Sequence, residues 1–280
     1  MHKNGKWAKQ LIDLQESDGK WGWFHTLSGC YGSPVTTEQA LRRLERLGYT
    51  IEDDCIQKAV SYMDDCLTGK AKIPDRIEKS SDWDIFTSLM LAAAIRRFTR
   101  DNPHANKVAE QWSQMITQAF KSGAYDHQAY VAAYQDTFGK KPKGGRLTDF
   151  VGFHQISLLQ GCLDGTCENA VVSYVLSRDT GIYYVYNEKI AVLPERFESR
   201  KASNYLGAIE LLAEYKYARH QLKFVADWLN SHRAEDGKWD MGPAVQDKLY
   251  FPLSDDWRKR EVRKRDCTER MEGLLRTLAE

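Results

Sequence analysis

No stretch of the 280-residue chain is long and apolar enough to cross a bilayer; the longest apolar run, around residues 85–95, is too short. No apolar segment follows Met1-His2-Lys3-Asn4-Gly5-Lys6, so no signal peptide and no transmembrane segment are expected, and a cytoplasmic location is. Neither sign of charge dominates: 40 Lys and Arg face 39 Asp and Glu, for a net charge of +1. That balance excludes a nucleic-acid partner held by bulk charge. Cysteine is sparse. The six residues (Cys30, Cys55, Cys66, Cys162, Cys167 and Cys267) include no Cys-x2-Cys pair, which excludes a zinc knuckle, and reduced, mostly buried thiols are expected. A phosphate-cradling glycine loop and a Gly-x-Ser-x-Gly elbow are both missing. Aromatics are plentiful, with 8 Trp and 14 Tyr, which suits clefts as well as packing.

One short stretch occurs twice. Asp18-Gly19-Lys20-Trp21 near one end is echoed by Asp236-Gly237-Lys238-Trp239 near the other, each after a helix-like run. Glycine turns the backbone left-handed at a helix end at no steric cost. Gln15 is placed to satisfy open carbonyls or the indole N–H, and the tryptophan to fold back over the helix end. Weaker echoes are Gly69, Gly123-Ala124-Tyr125 and Gly181-Ile182-Tyr183. The steps are 69−19=50, 123−69=54, 181−123=58 and 237−181=56. A period near fifty leaves room for two helices, the mark of a helical-hairpin repeat.

Between the turns, broad and narrow apolar patterns alternate. Ile85, Phe86 and 89–95 cover a helix nearly all round, as a helix buried on all sides requires. Its neighbours show single stripes: Ile56, Ala59, Val60, Met63 and Leu67 before it, and Val108, Trp112, Met115 and Ile116 after it. Broad helices recur from about Thr148 and Ala202. Ser33-Pro34 reads as the start of another helix, and Asn102-Pro103 as the start of the striped one. Residues 125–138 predict an extra helix, and 140–145 a basic, flexible loop. The Tyr-rich segment 182–193 predicts a small β-hairpin. A last helix spans about 258–278 and is expected beside the first, closing a ring. The fold class expected is all-α, in a single domain over residues 1–280.

The first copy resembles the QW motif of the terpenoid cyclase and protein prenyltransferase superfamily: basic, Gly/Ala, two residues, aromatic/Leu, three residues, Gln, three residues, Gly, one residue, Trp. Ala8, Leu11, Gln15, Gly19 and Trp21 match, and Trp7 replaces the basic residue. The second copy matches at Ala226, Leu229, Gly237 and Trp239 and departs at Val225 and Arg233. The resemblance implies an α/α toroid of five to six hairpins, inner helices ringed by outer ones. The superfamily's catalytic motifs are not matched: the chain has no Asp-x-Asp-Asp and no Asp-Asp-x-x-Asp run. Asp53-Asp54-Cys55 and Asp64-Asp65-Cys66 have the spacing of the prenyltransferase zinc ligands but fall on an outer helix, so neither a metal nor a cofactor is assigned.

In a toroid the inner-helix starts share one face with the glycine turns. Glu38, Trp83, Asp84, Asp149, His154 and Tyr205 are expected to converge there, in a concave, aromatic-rimmed cup. Asp84, Asp149, His154 and Asp266 are the candidate catalytic residues. Trp23, Trp83, Tyr183, Tyr205, Trp239 and Arg265 are the candidate ligand contacts, with Arg265 suited to a diphosphate or carboxylate. The bland counterpart is that the carboxylates cap helices, Asp82 above all, and that the aromatics pack. The expected function is binding of an apolar or ring-bearing small molecule, isoprenoid or sugar-like. The alternatives are a non-catalytic helical scaffold and a glycan-processing toroid enzyme.

Overall fold

The structure, a computed structural model, describes residues 2–26 and 32–280; Cys30 lies outside them. It is helical. Eleven α-helices occur among the described residues: α1 (Lys6–Ile12), α2 (Thr37–Arg46), α3 (Asp54–Leu67), α4 (Trp83–Arg96), α5 (Pro103–Ala119), α6 (His127–Phe138), α7 (Phe153–Leu159), α8 (Gly165–Ser177), α9 (Arg200–Leu212), α10 (Lys223–Ser231) and α11 (Arg260–Ala279). A 3-10 turn, Lys216–Leu222, leads into α10.

Helix starts follow local hydrogen-bonding chemistry. Asn102 accepts from the Ala105 N–H at 2.8 Å with Pro103 in the first turn, and Asp126 accepts from the N–H groups of Gln128 and Ala129. α2 begins later than Ser33-Pro34 suggests. Thr36 accepts from the Gln39 N–H while the Gln39 amide accepts from the Thr36 N–H, and this reciprocal box fixes the first turn at Thr37. α7 begins at Phe153 rather than near Thr148. Gly152 is drawn into an extended bridge with Tyr183, and the Asp149 carboxylate holds the Val151 N–H. That bridge and a second, between Ile182 and Tyr186, are all the strand pairing over 182–193 among the described residues. Asp82 stands before α4 without capping it. Its carboxylate takes the Lys143 N–H at 2.9 Å and the Lys140 ammonium at 3.2 Å, which ties down the basic loop.

The broad helices are the buried ones. α4 packs on α3, α5 and α7, and every residue of α7 is buried. α7 meets α9, and α10 meets α11. The two ends of the chain join. The Lys6 N–H donates to Asp255 at 2.9 Å, the Trp7 indole to the Ser254 carbonyl at 3.2 Å, and His2 lies 3.1 Å from Glu269 on α11. Arg43 of α2 donates to the Leu249 and Pro252 carbonyls.

The repeated turns are the same structure built twice. The Trp21 indole donates to the Leu11 carbonyl at 2.7 Å, and the Trp239 indole to the Leu229 carbonyl at 2.7 Å. Both tryptophans are buried. Their backbone N–H groups donate to threonine hydroxyls, Thr37 at 2.9 Å and Thr268 at 3.1 Å. Gln15 donates to the Gly19 carbonyl at 2.9 Å, and Arg233 takes its place with a bond to the Gly237 carbonyl at 2.7 Å. Gln15 also reaches the Cys55 carbonyl on α3 at 2.8 Å. Gly19 (φ 98°) and Gly237 (φ 76°) both lie in the left-handed region. A β-carbon on Gly19 would lie 2.4 Å from the Lys58 carbonyl oxygen, whereas one on Gly237 would meet nothing within 3.5 Å.

Gly237→Ala is therefore expected to cost about 1–2 kcal/mol, the left-handed penalty alone. Gly19→Ala is expected to cost about 1–3 kcal/mol more, because α3 must move. Urea denaturation of the two variants measures the difference; equal losses would contradict the close approach.

Candidate functional site

The start of α2 is zipped to the loop before it. The Thr37 N–H donates to the Trp23 carbonyl at 2.9 Å and the Glu38 N–H to the Phe24 carbonyl at 3.0 Å. The Asp75 carboxylate accepts the next two N–H groups, those of Phe24 at 2.7 Å and His25 at 2.8 Å. This places the His25 ring beside Glu38. From the start of α7, His154 donates through Nε2 to Glu38 Oε1 at 2.6 Å, and Glu38 Oε2 accepts from the Thr26 N–H at 2.9 Å and from the Thr26 hydroxyl. All three side chains are buried, and their ligand-type atoms lie within 4.8 Å of one another.

Rings enclose the cluster. Phe86 stands edge-on to His25 at 5.2 Å and to His154 at 5.4 Å; Tyr184 does the same at 5.4 Å and 5.6 Å. Tyr184 sits at φ 72°, a conformation that a bulky side chain rarely adopts, and its hydroxyl is buried with no hydrogen-bond partner among the described residues. Arg146, paired with Glu78 at 2.8 Å, stacks over Phe86. Burial alone would raise the Glu38 carboxyl, but His154, by charge and hydrogen bond, and His25 hold it well below the ordinary carboxylate range. Burial, against the pull of Glu38, lowers the His25 imidazole to about 4.

At the other ends of these helices lies an open cleft of about 610 Å³. It is lined by the last turns of α2, α4 and α9, by Gln160 after α7, and by one face of α11. Its walls are charged. Glu210 receives Arg46 at 2.5 Å and Arg270 at 2.7 Å, and Arg97 pairs with Glu45 at 2.6 Å. Arg96 and Arg100 have no carboxylate partner among the described ion pairs. Arg96 donates to Asn106 and to Cys162 Sγ, its Nε is buried without a partner among the described residues, and Arg100 donates to the Gln160 carbonyl at 3.0 Å. A second cleft, of about 600 Å³, shares Arg96, Arg100, Gln160 and Glu214 with the first.

No family model, curated protein or solved structure matches this chain.

The residues singled out in the sequence scatter. His154 and Glu38 do converge; His154 finds its partner there rather than in Asp149, which is tied to Arg178. Trp83 adjoins the cluster through Phe86, 5.9 Å away. Asp84 is exposed, Trp23 half-buried under Arg76, and Tyr183 exposed. Tyr205 is buried with its hydroxyl on the Ile190 carbonyl, and Trp239 is spent on the repeated turn. Arg265 is exposed; Asp266 is buried and holds the N–H and hydroxyl of Ser254. His25, Tyr184, Arg146, Arg96 and Arg100 carry no spacing signal that would have joined them to their partners.

The Arg46–Glu210–Arg270 triad sets a pH dependence. Burial would raise the Glu210 carboxyl, but Arg270 and Arg46 hold it below its ordinary value near 4.5. The unfolded chain therefore takes up this proton first as pH falls. The triad's contribution is complete above about pH 4.5 and is lost below it. Glu210→Gln is expected to remove about 3 kcal/mol at neutral pH and to flatten the acid limb of a denaturation-against-pH profile.

Proposed function

We infer that the helices close into an α/α toroid, similar in fold to the terpenoid cyclases and protein prenyltransferases, and that the cleft at the inner-helix ends binds an anionic small molecule, a carboxylate or a phosphate. Support for the toroid comes from the sequential packing of broad and narrow helices, from the twice-built tryptophan turn and from the joined ends of the chain. The last turns of α2, α4 and α9 then meet at one mouth, with α11 beside them.

The ligand class rests on one observation: Arg96 and Arg100 face that mouth with no carboxylate in salt-bridge contact among the described residues, and Arg96 Nε lacks an acceptor among them. A guanidinium offers donors in a fixed fork that matches a carboxylate or phosphate. Glu214 shares the wall with them, so a ligand carrying an ammonium beside its carboxylate also finds a complement. The expectation of an apolar or ring-bearing ligand draws its support from the opposite end, where Phe86, Tyr184 and Trp83 surround Glu38 and His154.

Titration calorimetry with citrate and with inorganic phosphate tests the reading. One of the two is expected to bind, and Arg100→Gln is expected to weaken it by about tenfold or more, the loss of one charge-assisted bond. Binding by neither anion, or unchanged binding by the Arg100→Gln and Arg96→Gln variants, would remove the cleft from this role.

A further inference from the structure

The cluster at the helix starts carries a second, independent inference. We propose that His25, Glu38 and His154 bind one divalent first-row transition ion, with a coordination position left for an exchangeable ligand.

The donor set is the first reason. Two imidazole nitrogens and one carboxylate oxygen is the set used for zinc sites that keep an open position, and for mononuclear iron(II) sites with a facial triad. The spacing is the second. Donors bound to one ion at about 2.1 Å lie about 3–3.5 Å apart. The three groups here already have their ligand atoms within 4.8 Å of one another, so side-chain rotations close the gap without moving a helix. The supports are the third. Thr26 holds Glu38 Oε2 from two directions and leaves Oε1 turned to His154, while Asp75 pins the backbone of His25. Metal ligands oriented by outer hydrogen bonds are the rule.

The surrounding charges are compatible with a cation. Arg146 and Arg42 lie close enough to act on the cluster. Arg146 is paired with Glu78, and Arg42 stacks 4.2 Å over Phe153. Asp75 and Glu38 supply the opposing carboxylates. Tyr184 gives a reason for the open position. It holds a strained backbone against both imidazoles, with a buried hydroxyl that has no partner among the described residues. Strain of this kind persists where the surroundings impose it, and it gathers at ligand sites.

Protons balance simply. In the present arrangement one proton lies between His154 Nε2 and Glu38 Oε1. The ion takes its place on Nε2, and the displaced proton passes to the other ring nitrogen or to solvent. A purely structural ion pair would keep that proton and take up no metal.

The test is titration of chelator-stripped, full-length protein with Zn²⁺, and with Co²⁺ as the visible probe. One ion per chain is expected. The Co²⁺ bands should be those of nitrogen and oxygen ligands. His25→Gln, which leaves the Glu38–His154 bond intact, should weaken binding by about 100-fold or more, beyond what loss of an outer partner causes. Folding of this variant is checked by circular dichroism. Failure of the wild-type chain to bind either ion at millimolar concentration would overturn the proposal. So would a thiolate-type Co²⁺ spectrum, or equal affinity in a folded His25→Gln variant.

Discussion

An indole N–H bonded to a carbonyl in the last turn of a preceding helix is the contact from which much of this protein is laid out. Trp21 makes it to Leu11, and the consequences run along the chain. The same tryptophan fastens its backbone to the Thr37 hydroxyl, in both directions. Thr37 opens α2, so the loop is held beside that helix start, with the Trp23 and Phe24 carbonyls accepting its first two N–H groups. His25 and Glu38 are neighbours because of this zipper. A helix end is thus satisfied, a loop is directed, and a chemically dense cluster is assembled by one sequence of bonds.

The architecture was legible wherever it is local. Asp-Gly-Lys-Trp announced the turn, and its second copy repeats the first almost bond for bond, even with Arg233 in place of Gln15. Asn102-Pro103 marked a true helix start. Ser33-Pro34 did not, because the reciprocal Thr36–Gln39 box three residues later satisfies more open N–H groups than a serine and a proline can. The aromatic run after Gly181 reads as strand by propensity, yet strands need partners, and among the described residues Tyr183 finds one only at Gly152.

The site was half legible for the same reason. Glu38 and His154 could be grouped because each was expected near the start of an inner helix. His25 could not, since nothing in its neighbourhood says that Asp75, far along the chain, will hold its backbone. The charged cleft was hidden altogether. Arg46, Glu210 and Arg270 sit on three different helices, and each alone reads as a solvated residue. A net charge of +1 conceals this sorting: one end of the helices gathers imidazoles and rings, and the other gathers guanidiniums and carboxylates.

The two tryptophan turns differ in how they hold their neighbours. The first is fixed by uncharged groups, the Gln15 amide on the Cys55 carbonyl and the Thr37 hydroxyl on Trp21. The second leans on charge, with Lys264 on Asp236 and Arg263 on Asp240 at 2.7 Å. Dissolved electrolyte screens the latter kind of bond and hardly touches the former. The first corner keeps its ion pairs, those of Lys20 with Glu16 and Asp18, inside the turn, so concentrated salt loosens the grip on a neighbouring helix chiefly at the corner that carries Trp239.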